Sequence, residues 1–144
     1  MDAKDFFQQI RHVDKQINMK YEQLEQLKAL AIKVTANISE SSARVSGPAR
    51  GMENTIEKII ALQEELNTDI DRYVNLKRAA NEIVRQIRNE KYRYILVNRY
   101  LLDKTWETIA AELQMTYQGV CHVHGKALQE AEKFLEKDGK FDSI

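Results

Sequence analysis

The sequence predicts an all-α fold: a long antiparallel helical hairpin of the coiled-coil kind, followed by a small helix-turn-helix domain. Three observations lead there. The 144 residues include one proline and five glycines, which leave few places for tight turns, while the helix-sustaining residues Leu, Glu, Lys, Gln, Ala and Ile are plentiful. Apolar residues recur at alternating steps of three and four along two long segments, the period of a helix seam. After Arg88 the texture changes to shorter apolar patterns with more aromatic residues.

The first segment places Phe6, Ile10, Val13, Ile17, Leu24, Leu27, Ala31 and Val34 on one stripe, with Lys20 filling the single missing place. A helix over 3–34 follows. The next stretch, TANISESSARVSGPARG at 35–51, is rich in Ser, Ala and Gly, holds the proline and has neither helical nor strand period; it reads as a linker at which the chain reverses. The second long stripe runs Ile56, Ile59, Gln63, Leu66, Ile70, Tyr73, Lys77, Ala80, Val84 and Ile87, with Asn54 or Thr55 as candidate cap. Two such seams joined by a linker pair as a hairpin within one chain, or between chains as a homodimer. Polar Lys20, Gln63 and Lys77 on the seams would fix register at some cost in stability. The expected division is a hairpin at 1–88 and a second domain at 89–144.

Three helical pieces are expected in that second domain. Tyr94, Ile95, Leu96, Tyr100, Leu101 and Leu102 form a first apolar face that ends at Asp103 and Lys104. Thr105 can cap a second helix whose inward face is Trp106, Ile109, Ala110 and Leu113, with Glu107 and Glu112 outside. After the short connection Gln114-Met115, Thr116 can cap a third helix over 116–136. A short helix, a tight turn and a longer helix with a polar face is the helix-turn-helix pattern, and the small Ala110 lets the two helices cross closely.

At ~100° per residue, Val120, His124, Ala127, Ala131 and Leu135 fall on one side of the third helix, with Val123, Leu128 and Phe134 beside them. Gln118, His122, Lys126 and Gln129 fall on the other side, where they would face a major groove. The amide of glutamine matches the N6 and N7 edge of adenine, and lysine can donate to guanine or to phosphate. Phosphate contacts are expected at the rim, from Tyr117 and Thr116, from Lys104 and Thr105, and from Arg93 and Arg99. Arg99 has an alternative role in an internal ion pair with Glu107, and Trp106 reads as a core anchor.

The run ILVNRYLLDKTWETIAAELQMTYQGVCHVHGKAL resembles region 4 of sigma-70-type RNA polymerase sigma factors. The chain as a whole is similar to the ArpU and RinA type of prophage transcriptional regulator, through Arg99-Tyr100, the run Trp106-Glu107-Thr108-Ile109-Ala110, and the run His124-Gly125-Lys126-Ala127-Leu128. The resemblance implies a bacterial, prophage-encoded, double-stranded-DNA-binding regulator, with the hairpin used for dimerisation or for contact with RNA polymerase. No sigma region 2 accompanies the motif, so an accessory regulator is implied.

Composition narrows the alternatives. With 22 basic and 22 acidic residues the chain lacks an overall basic signal, although 77–104 carries eight basic residues against three acidic ones. The acid-bearing N-terminus lacks the pattern of a secretory signal, no apolar run approaches the ~20 residues that span a bilayer, and a cytoplasmic protein is expected. Cys121, His122 and His124 diverge around a helix by ~100° per residue, so neither a metal site nor cysteine catalysis is expected, and no cofactor. The remaining alternative to DNA binding is a structural or protein-interaction module.

Overall fold

The structure is a computed structural model that describes residues 2–40 and 46–138, and it is all-helical over them. Helix α1 spans Ala3–Glu40 and α2 spans Ser46–Gln86. A short helix α3, Glu90–Leu96, continues directly into a π-helical turn at Val97–Leu101. Helices α4, Trp106–Leu113, and α5, Tyr117–Asp138, complete the chain. None of the helices is long and apolar enough, among the described residues, to cross a membrane.

Both long helices reach into the expected linker. Residues 35–40 extend α1 and 46–51 open α2, whereas 41–45 lie outside the described residues. Ala, Ile and Glu in the first stretch are compatible with continued helix. Pro48 falls in the first turn of α2, where a missing N–H removes no intrahelical bond. Thr55 therefore does not cap the helix; it is buried inside it, and its hydroxyl donates to the Gly51 carbonyl at 2.7 Å.

The chain forms two compact units that do not follow the order of the sequence. One is continuous, Lys15–Asp71, and contains the middle of the hairpin. The other joins the residues up to Asp14 to those from Arg72 onward. The boundary expected at 88/89 is therefore displaced: the first turns of α1 and the last turns of α2 share a core with the helix-turn-helix segment. Phe6, Phe7, Ile10 and Val13 are buried there with Leu76, Ala80, Ile83, Ile87, Leu96 and Tyr100. Local periodicity could assign these residues to seams but not to the partner that covers them.

In the continuous unit, α1 and α2 pack along their seams. The α1 stripe is as expected, with Leu24 buried and Ile17, Lys20, Leu27, Ala31 and Val34 half-buried. On α2 every second seam position holds and the others shift by one residue. Ile59 and Leu66 face inward, but Leu62 and Asp69 take the places expected of Gln63 and Ile70, which are exposed. Beyond this unit the same shift puts Leu76 rather than Lys77 deepest in the core. The displaced register turns Leu62 and Leu76 inward in place of Gln63 and Lys77, and an ion pair accompanies it. Lys20 meets Asp69 at 2.7 Å and Glu65 at 3.8 Å; the hydrogen bond to Asp69 is the largest effect, and with the two carboxylate charges it holds the Lys20 ammonium above its ordinary pKa against the opposing effect of burial.

Replacing one member of this pair leaves the other charge half-buried without its partner. Asp69→Leu alone should lower stability by about 1 kcal/mol, whereas Lys20→Leu with Asp69→Leu should recover or exceed wild-type stability, because apolar replacement of both partners removes the desolvation penalty. Thermal denaturation of the two single variants and the double variant, followed by circular dichroism, measures the coupling; strictly additive effects would contradict it.

Candidate nucleic-acid interface

Each helix of the C-terminal segment starts at a local cap. The Asn89 side chain accepts hydrogen bonds from the amides of Lys91 and Tyr92 at 2.9 and 3.2 Å, opening α3 where the sequence texture changes. Thr105 accepts from the Thr108 amide at 3.1 Å and opens α4. Thr116 accepts from the Gly119 amide at 3.0 Å and opens α5. These side chains satisfy amides that the first helical turn leaves without partners.

The turns are set by backbone geometry as much as by sequence. The π-helical turn, which periodicity does not reveal, closes with the Leu102 amide donating to the Val97 carbonyl at 2.9 Å. Asp103 follows with a φ of 54°, and Leu102, expected on the inner face, turns outward. Between α4 and α5, Gln114 takes the left-handed conformation with a φ of 54°. Its amide donates to the Ala111 carbonyl at 3.2 Å and the Met115 amide donates to Ala110 at 2.9 Å, the Schellman arrangement that ends a helix. Glycine usually occupies such a position, and this chain uses glutamine.

Helix α5 packs its expected inner face. Val120, Ala127, Ala131 and Leu135 are buried and His124 is half-buried, with Val123, Leu128 and Phe134 at the margins. Val120 joins Ile95, Ile109 and Ala110 in one cluster covered by Tyr94, Trp106, Leu113, Met115 and Val123. Ala110 stands in that cluster, where a larger side chain would separate the helices.

The opposite side is open. Gln118, His122, Lys126 and Gln129 are all exposed, and the helical spacing puts the four within a sector of about 80°. Gly125 falls at the edge of this sector, about 20° beyond Gln118, and is exposed; a Cβ built on it would meet no atom within 4 Å. Gly119 is different, since a Cβ there would come within 3.1 Å of the Thr116 hydroxyl and 3.3 Å of the Met115 methyl. The first glycine leaves a notch in the polar face, and the second makes room for the helix cap.

The rim residues are engaged to different degrees. Thr116 and Tyr117 are exposed at the start of α5, Thr116 as its cap, and a hydrogen bond with Cys121 raises the Tyr117 hydroxyl above its ordinary pKa. Thr105 is exposed but serves as a cap. Lys104 pairs with Glu112 at 2.9 Å, and Glu112 also accepts from the Tyr94 hydroxyl, the two bonds together holding its carboxyl below the usual range. Arg93 donates to the Ile87 carbonyl at 2.8 Å and to Arg88 at 3.3 Å, bracing the break between α2 and α3. Arg99 lies over the Trp106 ring with its guanidinium carbon 4.4 Å from the centroid, and it donates to the Lys104 carbonyl at 3.1 Å. Stacking on the tryptophan thus takes the place of the ion pair with Glu107, which acts on Arg99 only through its charge.

Behind the helix, a row of rings joins α1 to α5. Phe7 lies 5.2 Å from Tyr100, whose hydroxyl shares a hydrogen bond of 2.6 Å with His124 Nε2, and His124 stands edge-on to Trp106 at 4.6 Å. Burial pushes the Tyr100 hydroxyl up to about 12. Burial first, then the charges of Arg99 and Lys4, push His124 down to about 4. His124 is therefore neutral at pH 7, while His122 faces outward two residues away. Among the described residues, no group of three or more His, Cys, Asp or Glu is placed to hold a metal ion.

The His124 shift has a defined pH consequence. A folded-state value near 4, below the unfolded value of about 6.5, means that the unfolded chain takes up the proton first. The contribution of His124 is complete above pH 6.5 and falls away as pH drops from 6.5 toward 4, by roughly 1–2 kcal/mol once the partial exposure of the ring is discounted. Urea denaturation at pH 7.5, 6 and 5 should show this loss, and His124→Gln should flatten it across that window; an unchanged slope in the variant would contradict the assignment. Set against known proteins, the chain matches no family model, no curated protein and no solved structure.

Proposed function

We propose that the chain binds double-stranded DNA by laying α5 in the major groove, as a transcription regulator. The observation that carries this reading is the exposed face formed by Gln118, His122, Lys126 and Gln129, with the open Gly125 at its edge. Exposed glycine in a helix interior lowers stability by about 1 kcal/mol relative to alanine, and the space around Gly125 offers no intramolecular return. Close approach of an external surface to the helix backbone supplies a reason for it. The side chains beside the notch have the donors and acceptors that base edges require.

In this reading Gln118 and His122 contact bases, with Lys126 on a base or phosphate and Gln129 beside them. Thr116 and Tyr117 touch phosphate at the start of α5. Arg93, Lys104 and Thr105 contribute mainly by positioning the segment, because their groups already serve the fold. The resemblance to sigma region 4 and to prophage regulators supports a regulatory role in a bacterial cell, with the hairpin contacting RNA polymerase or a second copy. A second reading, a protein-interaction module, draws support from the large apolar residues left outside the seam of the continuous unit: Ile32 is 71% exposed and Ile60 is 50% exposed.

Selection from a random duplex pool by the purified chain, followed by binding at several salt concentrations, separates the two. A DNA-binding chain should recover a motif and lose affinity steeply with salt; failure to bind any duplex at low salt would rule the reading out. Lys126→Ala should weaken binding across all sequences and reduce the salt slope by about 1, whereas Gln118→Ala should change the preferred sequence by roughly 1–3 kcal/mol of discrimination at one position.

Gly125→Ala gives an independent check on the notch. Helix propensity predicts a gain of about 1 kcal/mol in stability. The same variant should bind its selected duplex more weakly. A more stable protein with unaltered DNA affinity would leave Gly125 outside the interface.

A further inference from the structure

A cleft of about 250 Å³ lies in the discontinuous unit, against the first turns of α1, the π-helical turn, α4 and α5. Lys4, Gln8, Arg11 and Arg99 line it together with the aromatic faces of Trp106 and His124, and no carboxylate lines it. Carboxylates outside the lining offset part of this charge: Arg11 pairs with Asp103 at 2.8 Å, and Asp103 and Glu107 also act on Arg99 through their charge. Lys4 is in none of the ion pairs among the described residues.

The guanidinium of Arg99 is fixed from two sides, by the Trp106 ring at 4.4 Å and the Lys104 carbonyl at 3.1 Å. It is presented with little rotamer freedom left to lose. Burial and the neighbouring Arg11 charge both lower its pKa, so the two guanidiniums repel each other across a partly desolvated space. Arrangements of this kind attract a compact anion, because low local dielectric strengthens each contact and the anion relieves repulsion already present.

We infer that this cleft binds a phosphate group, held by Lys4, Arg11 and Arg99, with Gln8 as a neutral hydrogen-bonding partner. Phosphate is favoured over a simple carboxylate because two planar guanidiniums and an ammonium match an anion that offers three or more oxygens and up to two charges. The phosphate comes either from a nucleic-acid backbone or from a free phosphate or phosphomonoester. The cleft is a separate claim from the groove-facing side of α5, since a free phosphate would bind whether or not the chain binds DNA.

The chain carries its own two reporters, since its one tryptophan and its one cysteine both line the cleft. Inorganic phosphate is titrated into the full chain while Trp106 fluorescence and the alkylation rate of Cys121 are followed, with sodium chloride at matched ionic strength as reference. A saturable fluorescence change and slowed alkylation, absent with chloride, are expected. Both should weaken roughly tenfold in Lys4→Gln and in Arg99→Gln. Lys4 is exposed and in no ion pair among the described residues, so Lys4→Gln should keep the wild-type circular dichroism and melting temperature and remain informative if Arg99→Gln fails to fold.

No saturable response to phosphate, or an unaltered response in Lys4→Gln, would overturn the proposal. A second titration, adding phosphate to the chain bound to duplex DNA at constant ionic strength, identifies the source. Displacement of the duplex assigns the site to a backbone phosphate, and unchanged duplex affinity assigns it to a free phosphate or phosphomonoester.

Discussion

The discontinuous unit depends on aromatic packing between the first turns of α1 and the segment that precedes the helix-turn-helix. Phe7 against Tyr100, Tyr100 hydrogen-bonded to His124, and His124 against Trp106 form one row of rings that connects residues far apart in the chain. Ring packing of this kind contributes about 0.5–1.5 kcal/mol per pair beyond the area it buries. Its larger effect is positional. With His124 held between a hydroxyl and an indole, α5 cannot rotate without breaking a buried polar contact, so Gln118, His122 and Lys126 keep their outward direction.

Electrostatics refines what packing sets out. The same row of rings has cations at its edge, Arg99 lying over Trp106 and Lys4 beyond it, whose charges add to the larger effect of burial in holding the imidazole neutral. Neutrality lets His124 sit in the core margin as a hydrogen-bonding group instead of a buried charge. Two histidines separated by one residue thus have different surroundings, His124 fixed in the packing and His122 exposed on the outer face.

Much of this arrangement was legible in local patterns. The α1 seam, the inner face of α5, and the caps Thr105 and Thr116 stand where periodicity and cap chemistry place them, because each depends on neighbours within a turn or two. The α2 seam was half legible: two stripes one residue apart both carry apolar side chains, and the one that packs has Leu62 and Leu76 where the other has Gln63 and Lys77, with Asp69 placed to meet Lys20 on α1. Reading 35–51 as irregular over-weighted Ser, Gly and Pro against the tolerance of a first helical turn for proline. The π-helical turn and the left-handed Gln114 left no mark in composition. The outward stripe on α5 was readable, whereas the cleft was not, because its cations come from helices that adjoin only after folding.

The amide of Ala3 donates to the Glu132 carboxylate at 2.6 Å, across 129 positions of sequence. During synthesis, then, the two units have unequal opportunities. The hairpin segment Lys15–Asp71 is contiguous and can pair its seams while the rest is still being made. Phe6, Phe7 and Ile10, by contrast, must wait for residues from Arg72 onward, Tyr100 among them, before their core can close, at the loop-closure cost that non-local contacts impose. A nascent chain stalled before Tyr100 would hold a formed hairpin flanked by an uncovered apolar helix end, the state in which chaperone binding or misassociation would be concentrated.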